Sequence, residues 1–579
     1  MNKRWTLLKQ ADNDKSIKFG KELNINPVLA NLLIQRSVNT FDEAKEFFRP
    51  SLTLLHDPFL MTDMDKAVAR IDKAIAKGEK VLIYGDYDVD GTTAVALVYR
   101  FFKNRFAECN FYIPDRYTEG YGISLQGIDW AKENGFSLII ALDCGIKAMD
   151  KTKYASELGI DFIICDHHRP GAEIPQAAAV LDPKRVDCAY PCKDLSGCGV
   201  GFKLLQAFAK KNNIDEQQVL DLIDLVAISI AADIVPILGE NRILAYYGLE
   251  LINKNPRTGI KAILELNAIR RELNITDVVF IIAPRINAAG RMDHGRSGRM
   301  DHGRSAVQLL ISDSVGDAIT ESEKINKNNI DRRDADKLIT EHALQQISRD
   351  NTFESKRSTV VYSAEWNKGV IGIVASRLTE KFYRPTVVLT DSNGHIAGSA
   401  RSVKDFDVYN AIEACSEYLD QFGGHMYAAG LTLKHENFEA FKQKFEEVVC
   451  ATIEEHMLTP EIEIDAELKL ESITKPFYNV LKQFAPFGPG NMSPVFVSRN
   501  CIADKNQTRP VGQENKHLKL AFTQDGFGKN FSAIGFQLGE YADLLKSGKR
   551  FDVCYHIEEN HFNGNTELQL NIKDIKISE

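Results

Sequence analysis

VLIYGDYDVDGTTA, residues 81–94, sets three aspartates at alternate positions, Asp86, Asp88 and Asp90, directly behind an apolar run. The run KVLIYG is short, apolar and closed by glycine, which predicts a buried strand, and TTAVALVYRFF after it predicts a helix. The same grammar returns downstream. SLIIALD (137–143), DFIICD (161–166) and AAAVLD (177–182) are further apolar runs, separated by helical patterns. Apolar strands alternating with helices predict an α/β fold with a doubly wound, mainly parallel sheet.

In such a sheet, ligands bind beyond the carboxyl ends of the strands. Asp86, Asp88 and Asp90 follow the first strand, Asp143 ends the second, and Asp166, His167 and His168 end the third. Asp233, a lone acid in the apolar stretch ISIAADIVPI, is a fourth contributor, expected at an equivalent strand end. One aspartate at a strand end is usually a helix cap or turn residue. Four segments converging is a different matter, because so many carboxylates in one cleft cannot all ionise without cations. Oxygen donors with one or two imidazoles suit Mn²⁺ or Mg²⁺. The number of acids points to two ions about 4 Å apart sharing a carboxylate, an arrangement that hydrolyses phosphoesters.

The rest of the 579-residue chain divides by pattern. Residues 1–55 read as a small helical segment and 56–260 as the α/β domain. Residues 261–350 are a helical connector with a long helix over its Gly- and Pro-free part, and 351–455 form a second, smaller α/β domain. Residues 456–579 are mostly short strands, predicting a barrel. GRMDHGRS occurs at 290–297 and again at 298–305. The second copy is expected as an exposed loop ahead of a helix starting near 305, since Gly298 and Gly303 disfavour helix. Composition is ordinary for globular protein, and the net charge of −9 argues against a protein that coats nucleic acid. The ten cysteines lack a CxxC pair, so reduced thiols are expected at Cys188, Cys192 and Cys198 rather than zinc. With no apolar run near the roughly 18 residues of a membrane span and no signal core, a soluble, cytoplasmic location is expected.

GDYDVDGTTA, ALDCGI, CDHH and AADIVP resemble the four motifs of the DHH phosphoesterase superfamily, and QFGGHMYAAG (421–430) resembles the motif of its DHHA1 domain. APRINAAGRM (283–292), GVIGIVASRL (369–378), SARS (399–402) and FAPFGPGN (484–491) narrow the resemblance to the RecJ family of bacterial single-strand-specific DNA exonucleases. The resemblance implies a DHH catalytic domain over 56–260, a DHHA1 domain over 351–455 and an OB-fold over 456–579. It implies Asp86, Asp88, Asp90, Asp143, His167 and Asp233 as ligands of two Mn²⁺ or Mg²⁺ ions, with Asp143 bridging. His168 would face the scissile phosphate and Asp166 would orient an imidazole. Arg285, Asn287, Arg291, Arg377, Arg401, Gly423, Gly424 and His425 would contact substrate. The sequence departs from the family at Asn367, where a histidine is expected after Trp366.

Residues 501–550 hold eight Lys/Arg, Lys516 and Lys519 among them, against five Asp/Glu. Phe522, Phe527, Phe531, Phe536 and Tyr541 are interleaved, and at least three of the five are expected in the barrel core. The implied activity is 5′→3′ hydrolysis of single-stranded DNA to 5′-mononucleotides in repair and recombination. The implied protein partners are a single-strand-binding protein and a RecQ-type helicase, and a monomer is expected. The alternatives are a DHH phosphodiesterase acting on oligoribonucleotides or cyclic dinucleotides, and a non-catalytic strand-binding replication factor.

Overall fold

A computed structural model describes residues 3–116, 118–288, 302–524, 527–562 and 565–578. The chain forms two compact units. One comprises residues 56–235 and 247–460, the other 1–55, 236–246 and 461–579.

The larger unit opens with β1 (Lys80–Gly85) and α1 (Val89–Phe102), then β2 (Glu108–Tyr112), β3 (Leu138–Leu142), β4 (Asp161–Cys165) and β5 (Ala179–Leu181). These strands form one wholly parallel sheet in the order β2-β1-β3-β4-β5. β1, β3 and β4 are buried almost throughout, as a sheet covered on both faces requires. The register decides the site. Gly85 pairs with Leu142, Leu142 with Cys165 and Cys165 with Leu181. The next residue on each strand is therefore Asp86, Asp143, Asp166 and Asp182, four aspartates in one row at the carboxyl edge. The sequence reading started α1 at Thr92; it begins at Val89, because Asp88 caps it by accepting from Gly91 N at 3.0 Å.

Behind the sheet lie α2 (Gly197–Lys211) and α3 (Ile223–Ala232), both largely buried. A π-helical turn, Val278–Ile282, leads into α4 (Ala283–Ala288). Both copies of GRMDHGRS fall mainly outside the described residues, as do Arg291 and the loop expected there. The following helix, α5 (His302–Ile311), starts earlier than expected and includes Gly303. A Cβ at Gly303 would lie 2.3 Å from Ile113 Cγ2, so the missing side chain permits the close approach that outweighs glycine's poor helix propensity. The expected long helix is α6 (Val315–Ser348), 34 residues.

Next come β6 (Thr359–Tyr362), α7 (Ile371–Phe382), β7 (Thr386–Ser392), β8 (His395–Arg401), β9 (Gln421–His425) and β10 (Ala428–Leu433). The sheet runs β9-β10-β8-β7-β6, and only β6–β7 is parallel. Ile339, Ala343 and Ile347 of α6 pack into its core beside Trp366 and Val374.

The smaller unit carries a seven-stranded sheet closed on itself by pairing of Phe496–Ala503 with both Phe551–Phe562 and His517–Gln524. The N-terminal segment is not wholly helical, since Arg4–Leu7 pairs in parallel with Glu461–Ile464. Residues 236–246, inside the 56–260 span of the sequence division, belong to this unit. Buried Arg242 explains it: the guanidinium lies 3.9 Å from the Phe47 ring centroid and donates to the carbonyls of Phe47, Phe484 and Ala485.

Candidate metal centre

The row of strand-end aspartates is drawn together by partners from other elements. Asp90, in the first turn of α1, accepts from Gly197 N and Cys198 N at the start of α2, each at 2.7 Å, and from Ser229 Oγ of α3 at 2.7 Å. Ser229 Oγ also reaches Ser196 Oγ, the α2 cap, at 2.6 Å. Asp86 accepts from Gly122 N at 3.2 Å through Oδ1. Asp143 stands at φ 57°, a left-handed conformation uncommon outside glycine, asparagine and aspartate, held by its N–H bond to Cys165 O at 2.8 Å. Asp233 is not at a strand end as expected; it is the C-terminal cap of α3, delivered to the cluster by helix packing.

His167 Nε2 sits at the centre, 3.2 Å from Asp143 Oδ1, 3.5 Å from Asp233 Oδ2 and 3.7 Å from Asp90 Oδ2. Asp86 Oδ2, Asp143 Oδ1 and both ring nitrogens of His167 are enclosed without a hydrogen bond. Burial together with neighbouring carboxylates pushes Asp86, Asp88 and Asp143 above the usual carboxylate range, and Asp233 up to about 8. Enclosed, unpartnered oxygens and an unpartnered imidazole converging on one volume fit divalent cations. Two ligand sets meet that geometry: Asp143, His167 and His168, and Asp90, His167 and Asp233. No set among the described residues includes a cysteine.

His168 is held from both sides. Its Nδ1 lies 2.8 Å from Asp166 Oδ1 and its Nε2 3.1 Å from the Tyr121 hydroxyl. Asp166 also accepts from Ile146 N and from the backbone of both histidines. Burial opposes charge on both groups, yet their mutual hydrogen bond wins: His168 rises to about 9 and Asp166 falls to about 2.

The substrate candidates have distinct local surroundings. Asn287 lines one cavity with Asp88, Asp90 and Asp233. Arg285 is engaged structurally, donating to Ile281 O, Asn326 Oδ1 and Asn267 Oδ1. Arg377 Nη2 pairs with Asp336 at 2.6 Å. Arg401 donates to Ser399 Oγ and Ala400 O. Gly423, Gly424 and His425 lie in edge strand β9 rather than in a turn; at Gly424 the φ of 150° and a Cβ 2.4 Å from Ala428 O both require glycine. Lys516 pairs with Glu514 at 2.5 Å, while Lys519 stands opposite Arg509 across two strands. Phe522 and Phe531 are core, Phe527 and Tyr541 pack against it, and Phe536 alone of the five is open, 57% exposed. Asn367 accepts from Gly369 N at 2.8 Å, a local turn contact.

Sequence reading missed Asp182, buried in the aspartate row and raised to about 7 by burial, with Asp166 adding to it. Its signal was present, since it too ends an apolar run. Arg116 was also missed: it lies within electrostatic reach of Asp86, Lys368 and Arg401.

Family descriptions match three parts of the chain: the DHH family N-terminal domain over 80–230, the DHHA1 domain over 356–451 and the RecJ OB domain over 464–574. The single-stranded-DNA-specific exonuclease RecJ of Bacillus subtilis (strain 168) is 36% identical over 579 residues, covering 100% of this chain and 71% of the relative. RecJ of Salmonella typhimurium is 31% identical, covering 98% of both. The crystal structure of RecJ with Mn²⁺ from Thermus thermophilus superposes with a TM-score of 0.84 at 25% identity, over 100% of this chain and 80% of that one. With the aspartate row, the clustered histidine and three matching domains in sequence order, the conclusion is direct: the chain belongs to the RecJ family of single-stranded-DNA-specific exonucleases.

Proposed function

We propose that this protein is a metal-dependent exonuclease that degrades single-stranded DNA from the 5′ end to 5′-mononucleotides, in DNA repair and recombination. The observation that carries the reading is the convergence of unpartnered Asp86, Asp143 and His167 atoms with Asp88, Asp90 and Asp233. These six residues would hold two Mn²⁺ or Mg²⁺ ions. Such ions, when bound, neutralise phosphate charge and make water a competent nucleophile near neutral pH. The protein's part is positional. The α2 N-terminus and Ser229 fix the Asp90 carboxylate. Asp166 and Tyr121 fix the His168 ring, which would face the scissile phosphate. Arg116, Lys368 and Arg401 form a cationic group beside the acids, suited to the terminal phosphate that an exonuclease must recognise.

The reading extends, on family resemblance, to a cytoplasmic monomer working with a single-strand-binding protein and a RecQ-type helicase. Among the described residues no helix is long and apolar enough to cross a membrane. End-labelled single-stranded DNA, duplex DNA and RNA, each digested with Mn²⁺ or Mg²⁺ and sized, test the core of it. The expected result is mononucleotide release from single-stranded DNA carrying a 5′-phosphate, abolished by chelator. Preference for RNA dinucleotides would overturn the substrate.

The OB part offers a second test. Arg509 and Lys519 face each other on adjacent strands, and like charges paired directly are destabilising. A polyanion relieves that repulsion. Arg509→Gln with Lys519→Gln should weaken binding of single-stranded DNA and flatten the log–log salt dependence by up to about 1.4, at about 0.7 per phosphate contact. Lys516, already paired with Glu514, should contribute less. An unchanged slope in a fluorescence-anisotropy salt titration would place the strand elsewhere.

A further inference from the structure

One cavity of about 220 Å³ has both acids and an arginine in its lining. Asp88, Asp90 and Asp233 line it, and so do Arg332 of α6 and Asn287. Val279, from the π-helical turn, is among the apolar residues that line the rest. Departures from α-helical winding of this kind concentrate at functional sites.

Arg332 is unusual on its helix. The inner stripe of α6 runs Ser322, Ile325, Asn329, Asp336, Ile339, Ala343 and Ile347, all buried. Its C-terminal end is apolar and packs into the DHHA1 core. Its polar end is under-satisfied: Ser322 Oγ, Asn329 Oδ1 and Arg332 Nε are enclosed without hydrogen bonds. Asn329 is 3% exposed. The anion nearest Arg332 in charge effect is Asp336, which Arg377 already holds at 2.6 Å. Arg333 and Arg377 add like charge to Arg332, and Arg285 feels both Arg332 and Arg333. Arg332 thus has like charges around it and one buried carboxylate, already held by Arg377, within reach. Among the described residues no carboxylate forms an ion pair with Arg332, although three share its cavity. An anionic group bound in this cavity would give Arg332 the partner it lacks.

We propose that Arg332 grips the scissile phosphate, through its non-bridging oxygens, in the cavity it shares with the metal-binding acids. The inference rests on the exonuclease reading above. A planar guanidinium matches two phosphate oxygens at once, and in this cavity it meets the charge that develops as the phosphate is attacked. Arg332 is then a catalytic residue, distinct from the arginines that only attract the strand.

The test uses the full chain with Mn²⁺ and 5′-phosphorylated single-stranded DNA. Arg332→Gln should lower kcat by about 100-fold to 1,000-fold with KM within about threefold of wild type, the pattern of a contact made in the transition state. Arg332→Lys keeps the charge but loses the fork, and should recover about tenfold of that loss. Thermal melts should show both variants folded and gaining the same Tm from Mn²⁺ as wild type. Lys337→Gln, an exposed charge on the same helix, should leave kcat unchanged. A wild-type kcat in Arg332→Gln, or a change confined to KM, overturns the inference. So does a loss that Arg332→Lys does not relieve, or one accompanied by a lost Mn²⁺ gain in Tm. A wild-type protein inert toward single-stranded DNA overturns the exonuclease reading itself.

Discussion

Asp143→Asn should lower kcat on single-stranded DNA more than 100-fold, about 2.7 kcal/mol of activation free energy, while leaving the protein folded. Asp143 lies 1% exposed among Asp88, Asp90 and Asp233, each of which raises its pKa after burial itself. Its Oδ1 is unpartnered and 3.2 Å from His167 Nε2. In the metal-free protein this charge is a burden, because it is buried among carboxylates and the nearby His168 Nδ1, 3.8 Å away, is already held by Asp166. The amide should therefore make the metal-free protein at least as stable as wild type. The gain in Tm on adding Mn²⁺ should nearly vanish, since ligand-induced stabilisation follows affinity. Melts with chelator and with Mn²⁺, beside single-turnover kinetics, separate the two effects. A variant keeping more than about one hundredth of the rate at saturating metal would count against a shared carboxylate in a two-metal site.

Gly197→Ala should be nearly as damaging, although glycine carries no chemistry. A Cβ there would lie 2.6 Å from Asp143 Cβ and 2.9 Å from Asp143 Cα. Backbone cannot swing aside, so either the start of α2 or Asp143 must move. The first choice pulls Gly197 N and Cys198 N from the Asp90 carboxylate, and the second shifts a residue already at φ 57°. Overpacking of this kind costs about 1–3 kcal/mol in stability. Loss of the groups that orient a ligand typically weakens metal binding about 10-fold to 100-fold. The expected result is a Mn²⁺ requirement raised at least about tenfold and kcat/KM lowered by about 100-fold. Gly201→Ala, four residues on, is the control: its Cβ would meet only side-chain carbons at 3.3 Å. Activity of Gly197→Ala within about threefold of wild type would show that the close approach is not needed.

Asp86, Asp143 and Asp166 were legible because a buried parallel strand has a simple signature, an apolar run, and its carboxyl end is where the chain turns polar. The same logic applied to AAAVLD would have found Asp182, which the register sets beside Asp166. The long helix was legible from an unbroken stretch without glycine or proline.

Other features were settled only when the chain folded. Asp233 reaches the cluster from a helix end, Asp90 is fixed by amides more than a hundred residues away, and Arg332 joins the acids in one cavity from a helix whose sequence reads as charge-rich. The smaller unit is assembled from three separate stretches, with Arg242 buried among carbonyls of two of them. The physical division is one of range. Strand, helix and strand-end polarity follow from backbone sterics and burial within a dozen residues, so one local window carries them. Which distant amide, imidazole or guanidinium meets a given carboxylate depends on how packed elements converge in space, and no local pattern of residues encodes that.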